Sequence, residues 1–374
     1  MRVEKAPVPF NDLARMDTDL RYEITEAAAR VIASGWYVMG PEHKAFEQEL
    51  ASFIGVESAA LVANGTDALV LALLALGTTS DDLVLTCANA GGYTTTACRL
   101  VGAIPVYADV DPSTHLLTAE TVRAGIESAY ATYGRKPSVI VVTHLYGASA
   151  NITQITEWAH AQGISVVEDC AQAFGGFSGK NRLGSIADIS TTSFYPTKNL
   201  GAIGDAGAIF TNRTELDTRV RSLRQYGWST KYRTTVQGGM NSRCDELQAA
   251  ILRIKLRRLD GWNARRREIH ALYERALSSS TTARLLNSVE GEFVGHLAVL
   301  VVDDRESAIK IFNDHGIKTD IHYPICDHQQ PTAPEGSYSL PASEYAAEHI
   351  ISIPLFAELE EHETDRVAEA LRAI

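Results

Sequence analysis

The amino-acid sequence predicts an α/β protein in which a mainly parallel central sheet, covered by helices, is followed by a smaller α+β domain. Two observations lead to this fold class. Between about residue 59 and residue 211, short β-branched apolar runs alternate with helical patterns. After Gly239 the alternation stops and a long helical region begins. Alternating strands and helices imply crossover connections, which place helices on both faces of a parallel sheet.

Seven segments of the first region have the composition of largely buried strands, because they are rich in β-branched residues and bounded by turn residues. They are AALVAN, LVLTCA, IPVYADV, SVIVVTHLYG, ISVVED, ISTTSFY and AGAIFT. The helical patterns between them include TDALVLALLALG, TTTACRLVGA and ITQITEWAHAQG. Ligands of such sheets bind outside the carboxyl ends of the strands, so we expect the functional site there.

The change of pattern predicts a domain boundary near residue 250. Residues 1–250 would form the large domain, with an N-terminal helical segment, and residues 251–374 the small C-terminal domain. The second part opens with helical sequence and continues with the apolar run VGHLAVLVV, the segment ESAIKIFNDHGI and the closing ETDRVAEALRAI.

Composition narrows the class of protein. The chain has 374 residues and a formal net charge of −12, which argues against nucleic acid or an anionic membrane as the main partner. Five scattered cysteines argue against a disulfide framework. The N-terminal MRVEKAPVPFNDL lacks the apolar core of a signal peptide, and the longest apolar run, residues 68–76, is too short to span a bilayer. We expect a soluble, cytoplasmic protein.

Gly65 and Thr66 lie where the predicted strand AALVAN gives way to a strongly apolar helix. Free N–H groups at a helix start attract anions, and each such charge interaction contributes about 0.3–1 kcal/mol. Gly65 would let the backbone approach a phosphate closely, and Thr66 is expected to cap the helix. An ordinary capped turn is the better explanation when this segment is considered alone.

Glu168 and Asp169 lie at the end of the predicted strand ISVVED. Because side chains alternate along a strand, we expect only one of the two to face inward. A buried carboxylate needs a partner. The alternative to a functional role is therefore a structural salt bridge.

Lys198 lies within SFYPTKNLG, beside Phe194 and Tyr195. A lysine desolvated among aromatic side chains has a lowered pKa, which makes its amine available for Schiff-base formation. Considered alone, a solvated loop lysine is more common. Considered together, the helix start, the strand-end carboxylate and the lysine are the parts that hold pyridoxal phosphate. The lysine binds the aldehyde, the carboxylate keeps the pyridine nitrogen protonated and the helix start holds the phosphate.

A metal site is the alternative raised by His322, Cys326 and His328 in HYPICDH. Their spacing matches no standard zinc pattern and a fourth ligand is not evident, so no metal is predicted.

Nearly the whole chain resembles the DegT/DnrJ/EryC1/StrS aminotransferases, the nucleotide-sugar branch of fold type I pyridoxal-phosphate enzymes. The segments that carry the resemblance occur in the family's order and spacing. They are GWYVMGPEHKAFEQELASFIG, NGTDALVLALLALG, GAIPVYADVDPSTHLL, THLYG, VVEDCAQAFGG, SFYPTKNLGAIGDAGAIFTN, LRQYGW, NSRCDELQAAILRIKL and IHYP.

The resemblance implies a role for each matching residue. Lys198 matches the lysine that binds the cofactor and moves protons, Asp169 the carboxylate facing the pyridine nitrogen, and Gln172 the side chain near the 3-hydroxyl. The positions that match phosphate contacts are Gly65, Thr66, Ser193 and, from the neighbouring subunit, Asn241. The positions that match the ring-stacking aromatic and the sugar side are Tyr93, Tyr37, His322 and Tyr323.

The sequence departs from the family at the segment before Tyr93. The family often has a Pro-Ser-x-Thr turn before its stacking aromatic residue, whereas this chain has CANAGGYTTT. Cys244 stands where leucine is usual, and GHLAVLVV follows the family's histidine-bearing strand only loosely.

The resemblance implies an amino transfer from an amino acid, L-glutamate, to a dTDP-linked 3-keto- or 4-keto-6-deoxyhexose, carried out by a homodimer with shared active sites. Three alternatives stay open. A sugar dehydratase of the same family would carry histidine in place of Lys198. A keto-cyclitol aminotransferase would use the same residues on another substrate. A non-catalytic regulatory homologue would keep only the fold, and the intact set of Lys198, Asp169 and Gln172 disfavours it.

Overall fold

The computed structural model describes residues 6–286, 293–333 and 338–374. Its helices are α1 (Thr18–Ser34), α2 (Pro41–Ile54), α3 (Gly65–Leu76), α4 (Tyr93–Val101), α5 (Ala119–Tyr133), α6 (Ile152–Ala161), α7 (Thr214–Leu223), α8 (Glu246–Leu256), α9 (Leu259–Leu277), α10 (Arg305–Asp314), α11 (Pro341–His349) and α12 (Glu361–Leu371). Its strands are β1 (Ser58–Val62), β2 (Leu83–Cys87), β3 (Ile104–Ala108), β4 (Val139–Thr143), β5 (Ser165–Asp169), β6 (Phe177–Ser178), β7 (Asn181–Arg182), β8 (Ile189–Ser193), β9 (Gly207–Thr211), β10 (Trp228–Thr230), β11 (Arg233–Thr234), β12 (Ala283–Leu285), β13 (Ala298–Val302) and β14 (Ile350–Ile353).

The central sheet has seven strands in the order β1-β9-β8-β5-β4-β2-β3. From β3 to β8 every neighbouring pair is parallel. Strand β9 pairs antiparallel with both β8 and β1, so it is the reversed strand of the sheet. This order confirms the predicted mainly parallel sheet.

The carboxyl ends of the parallel strands bring polar side chains together at one edge of the sheet. Thr143 ends β4 and Asp169 ends β5, and the two residues are partners in the register. On the other side Asp169 pairs with Thr191 of β8. The strand order therefore places Asp169 centrally at the edge where ligands of such sheets bind.

Helix α3 packs against β8 and β9 on one side and against α4 and α7 on another. Its buried residues are Ala68, Leu69, Val70, Leu71, Ala72, Leu73 and Ala75. A helix that is apolar almost all round has to be buried. Because only residues 63 and 64 separate β1 from α3, the start of this helix is held at the end of a sheet strand.

Glu246 joins α8 to the start of α2. Its carboxylate accepts hydrogen bonds from the N–H groups of Gly40 (2.8 Å), Glu42 (2.9 Å) and His43 (2.8 Å). These N–H groups have no acceptor within the helix. One buried side chain thus caps α2 and fixes it against α8.

The C-terminal part contains a three-stranded antiparallel sheet in the order β12-β13-β14. Its apolar core includes Ile269 and Tyr273 of α9, Leu300 of β13 and Phe312 of α10. The long helical region expected after Gly239 consists of two helices, α8 and α9. The proposed boundary at residue 250 lies inside α8, and the division into domains at that residue stays a prediction.

All five cysteines are buried and free. In the described part of the chain, every helix is too short or too polar to cross a lipid bilayer.

Candidate active site

A cavity of about 530 Å³ opens at the carboxyl edge of the central sheet. It brings together most of the residues predicted to form a site. These are Gly65, Thr66, Tyr93, Asp169, Gln172, Ser193, Lys198, His322 and Tyr323. Asn241 and Tyr37 are not among the residues that line it.

One end of the cavity is the start of α3. Asn64 is the residue that caps this helix, since its side chain accepts a hydrogen bond from the Asp67 N–H at 2.8 Å. The expectation that Thr66 caps the helix is therefore wrong: Thr66 is already the second helical residue. Asn64 serves better because its backbone is extended, as an N-cap requires. The N–H groups of Gly65 and Thr66 belong to the first turn and lack helical acceptors.

Asp169 faces the cavity that Lys198 also lines. Its Oδ1 accepts a hydrogen bond from the Ala171 N–H at 3.0 Å, and its Oδ2 lies 3.4 Å from the Thr143 hydroxyl. Burial raises the pKa of Asp169, although the Ala171 N–H and the Lys198 ammonium oppose this effect. The carboxylate is incompletely satisfied by these partners, so it can accept a further hydrogen bond from a ligand.

Glu168 lies within the protein, away from the cavity, and its carboxylate is fully engaged. It receives hydrogen bonds from His144 Nε2 (3.1 Å), the Gly184 N–H (2.6 Å) and the Ser190 hydroxyl (3.1 Å). Burial opposes its ionisation, yet the hydrogen bonds from His144 and Gly184 lower the pKa of Glu168 below its ordinary value. The structure thus places the Asp169 carboxylate on the cavity, whereas the Glu168 carboxylate belongs to a buried hydrogen-bond network within the protein.

Lys198 lies in the loop between β8 and β9 and its side chain lines the cavity. Its backbone N–H donates to the Tyr195 carbonyl at 2.8 Å, which fixes the loop. Burial lowers the pKa of Lys198 to about 8, and the charge of Asp169 opposes the shift. An amine with this pKa is partly neutral near physiological pH, so it can act as a nucleophile or a base.

Gln172 is held at both ends of its amide. Its Oε1 accepts a hydrogen bond from the Tyr146 N–H at 2.7 Å, and its Nε2 donates to the Tyr323 hydroxyl at 3.1 Å. The Tyr146 hydroxyl in turn donates to the His322 carbonyl at 2.7 Å. These bonds connect the segment after β5 to the segment that carries His322 and Tyr323.

The departure from the family before Tyr93 has a local structural reason. Gly91 and Gly92 have φ angles of 83° and 80°, which favour glycine. A Cβ on Gly91 would also lie 2.8 Å from the ring of Tyr323. The Tyr93 ring contacts that of Tyr323 edge-on, with centroids 6.1 Å apart. The glycine pair therefore brings Tyr323 and Tyr93 together on one wall of the cavity.

Asn241 and Tyr37 lie on the surface outside the cavity. Asn241 is exposed and precedes α8 by several residues, and the cap position of that helix is occupied by Asp245. Asn241 therefore does not cap this helix. The Tyr37 side chain is 55% exposed.

The side chains of His322, Cys326 and His328 each have a different hydrogen-bond partner. His322 Nδ1 lies 2.9 Å from the Ser352 hydroxyl, Cys326 Sγ donates to the Ser343 carbonyl, and His328 Nε2 lies 3.0 Å from Glu344. Among the described residues, the group with metal-like spacing is His144, Glu168 and Cys170. There His144 Nδ1 accepts from the Ala150 N–H and Nε2 faces Glu168, so both ring nitrogens are used by the protein.

Several lining residues were missed by the sequence reasoning, namely Thr143, Asp205 and His296. Thr143 could have been found, because it ends a predicted strand that neighbours the strand of Asp169. His296 precedes β13, far from the sheet edge in sequence, and only the fold brings it beside Lys198. The signal in the sequence was the match of GHLAVLVV, which contains His296, to the family's histidine-bearing strand, and that match is only loose.

The fold is that of enzymes of the aminotransferase class. The crystal structure of DesV from S. venezuelae matches with a TM-score of 0.92 at 35% identity, covering 99% of this chain and 98% of that one. NtdA from Bacillus subtilis, solved with bound cofactor PMP, matches with a TM-score of 0.91 at 29% identity, covering 99% and 85%.

The chain belongs to the DegT/DnrJ/EryC1/StrS aminotransferase family, whose family model matches residues 18–372. This confirms the predicted family, and the family together with the NtdA structure indicates pyridoxal or pyridoxamine phosphate as cofactor.

Three relatives resemble the chain over almost its full length. The erythromycin biosynthesis sensory transduction protein EryC1 of Saccharopolyspora erythraea is 37% identical, covering 98% of this chain and 99% of the relative. The dTDP-3-amino-3,4,6-trideoxy-alpha-D-glucose transaminase of Streptomyces venezuelae is 37% identical, covering 99% and 97%. The dTDP-3-amino-3,6-dideoxy-alpha-D-galactopyranose transaminase of Aneurinibacillus thermoaerophilus is 38% identical, covering 97% and 98%.

Proposed function

We propose that the protein is a pyridoxal-phosphate-dependent aminotransferase that moves an amino group from an amino acid to the keto carbon of a nucleotide-linked deoxysugar. One observation carries the proposal. The Lys198 side chain, the Asp169 carboxylate and the start of α3 face the same cavity. They are the three groups that the aldehyde, the pyridine nitrogen and the phosphate of the cofactor require.

The residues present fit this cofactor in three respects. A Cβ on Gly65 would lie 2.6 Å from the Cβ of Ser193, so the absence of a side chain lets the helix start pack directly beside Ser193, the other residue assigned to the phosphate. The Asp169 carboxylate retains acceptor capacity for an N–H donor. The cavity volume of about 530 Å³ lies within the usual range of small-molecule sites.

Each residue then has a defined task. Lys198 Nζ would hold the cofactor by its aldehyde, and the same amine, when free, would remove and return the carbon-bound proton of the substrate; its pKa of about 8 suits both tasks. Asp169 would keep the pyridine nitrogen protonated, and Gln172 would lie on the side of the 3-hydroxyl. When bound, the cofactor supplies the electron sink that stabilises the negative charge left by the departing proton.

For the substrates, we propose L-glutamate as donor and a dTDP-linked 3-keto-6-deoxyhexose as acceptor. Two relatives are named for transaminases whose dTDP-sugars carry the amino group at carbon 3. His322 and Tyr323 line the cavity and are assigned to the sugar side.

We also propose a homodimer in which Asn241 and Tyr37 serve the neighbouring subunit's cavity. Asn241 pairs with Gln225, next to Tyr226, and large aromatic side chains are exposed in this region. Trp36 is 58% exposed and Tyr232 77% exposed. Exposed apolar patches of this kind are typical of protein interfaces.

Single-turnover half-reactions test the function. Glutamate alone should change the visible absorption of the protein loaded with pyridoxal phosphate, because it converts the cofactor to its amine form. The dTDP-3-keto sugar added afterwards should restore the original spectrum. A protein that binds the cofactor but responds to no amino acid would contradict the proposal and favour the non-catalytic homologue.

A further inference from the structure

His296 is a buried polar residue of the cavity wall to which the proposed function gives no task. It precedes β13 and is 8% exposed, and its remaining surface faces the cavity that Lys198 and Leu297 also line. A polar atom in such a place needs a hydrogen-bond partner, because leaving it unsatisfied costs about 1–3 kcal/mol.

A chain of amides fixes the tautomer of this histidine. Asn199 Nδ2 donates to Asn263 Oδ1 at 2.7 Å and to the Val294 carbonyl at 3.2 Å. The carbonyl can only accept, so the orientation of the Asn199 amide is set and its Oδ1 is an acceptor. His296 Nδ1 lies 3.0 Å from this oxygen and must therefore carry the proton.

The opposite ring nitrogen, Nε2, consequently bears a lone pair. Within the described residues it has no hydrogen-bond partner, and since Nδ1 is turned to the buried Asn199, Nε2 lies on the ring edge available to the cavity. The charged and titratable groups around the ring are Lys198, Arg266 and His322. Burial and these neighbours lower the pKa of His296 well below its ordinary value, so the ring stays a neutral acceptor.

We propose that His296 Nε2 accepts a hydrogen bond from a hydroxyl group of the keto-sugar substrate and thereby helps to select it. This inference rests on the proposed function. An amino-acid donor reacts through its amino group, so the polar groups it has left for other contacts are carboxylate oxygens, which are acceptors and are repelled by a lone pair. A sugar offers hydroxyl donors beside its carbonyl. His296 therefore discriminates between the two substrates that share the cavity.

The variant His296→Asn tests the role, because the asparagine Nδ2 can still donate to Asn199 while the acceptor at Nε2 is lost. The amino-acid half-reaction should stay within about twofold of wild type. The kcat/KM of the sugar half-reaction should fall about tenfold, which is the loss expected when one neutral hydrogen bond is removed. A keto sugar that lacks the contacted hydroxyl should react equally with both proteins.

His270→Asn is the matched control, since His270 is also buried with a lowered pKa but does not line the cavity. It should change both half-reactions of the folded protein equally or not at all.

Asn199→Asp adds a second test. A carboxylate beside Nδ1 of His296 favours the charged form of the ring, so the sugar half-reaction should fall at acidic pH while the amino-acid half-reaction changes less.

Equal losses in both half-reactions of His296→Asn, or no loss in either, would overturn the role of His296 while the proposed function stands. A wild-type protein inactive in both half-reactions would instead overturn the proposed function, and the role of His296 with it.

Discussion

Gly65 and Ser193 lie so close together that a Cβ on Gly65 would come within 2.6 Å of the serine Cβ. Gly65 is the first residue of α3 and Ser193 the last of β8. The helix start therefore packs directly on a strand end. The two elements that flank the proposed phosphate site leave no space for a side chain between them.

Gly65→Ala should weaken cofactor binding by about tenfold or more, because the helix start must move away from Ser193 and misplace its N–H groups. The measurement is the dissociation constant of pyridoxal phosphate by fluorescence titration. Gly261→Ala is the matched control: Gly261 lies in α9, and an added Cβ would meet no atom within 4 Å. Equal affinities for the two variants would contradict the proposed phosphate site.

Asp169→Asn and Glu168→Gln should separate function from stability. The Asp169 change should slow the glutamate half-reaction by about 100- to 1000-fold, because one preorganised charge is lost at the cofactor. The Glu168 change should instead lower the free energy of unfolding by about 3 kcal/mol, because it breaks a buried network. Single-turnover kinetics and urea unfolding measure the two effects. The assignment is reversed if the Glu168 variant folds stably and is the slower enzyme.

The pKa of Lys198 predicts a pH dependence for cofactor capture. Only the neutral amine attacks the aldehyde, so in protein stripped of cofactor the capture rate should rise with pH and level off above about 8. Asp169→Asn removes the charge that favours the ammonium form, so its midpoint should move to lower pH. Stopped-flow absorbance across the pH range gives both midpoints. A wild-type midpoint near 10.4, the ordinary value for lysine, would contradict the burial of this amine.

The shared active site is tested by mixing inactive variants. Lys198→Ala and Asn241→Asp subunits, allowed to exchange, should recover activity up to about a quarter of wild type, because half of the dimers are mixed and each of those holds one intact site. In the proposed shared site, Asn241→Asp would place negative charge against the phosphate. Were Asn241 to act within its own subunit, the mixed dimers would have two defective sites. No recovery despite demonstrated subunit exchange would therefore refute the shared site.

The parallel part of the fold could be predicted because strands that alternate with helices leave little choice of topology. The reversal of β9 could not be predicted. The segment AGAIFT has the composition of its parallel neighbours, and the connection from β8, residues 194–206, is long enough for either direction. Likewise, Asn64 and Thr66 are both acceptable N-caps by residue type, and the backbone conformation decided in favour of Asn64.

The residues of the candidate site also fall into two groups: those whose position could be predicted from the strand order and those whose position could not. Asp169 and Gly65 follow predicted strands, so their position at the sheet edge follows from the topology. His296 reaches the cavity through tertiary packing of the C-terminal part, and the amide chain through Asn199 and Asn263 spans residues far apart in sequence. Sequence periodicity carries no information about such contacts.

The most direct test of the central claim is borohydride reduction of the protein loaded with pyridoxal phosphate, followed by peptide mapping by mass spectrometry. The reduced cofactor should be attached to Lys198, should be absent from Lys198→Ala and should persist in Lys255→Ala, which removes another half-buried lysine of lowered pKa. Attachment at Lys255, or equal labelling of wild type and Lys198→Ala, would contradict the assignment of Lys198 as the residue that carries the cofactor.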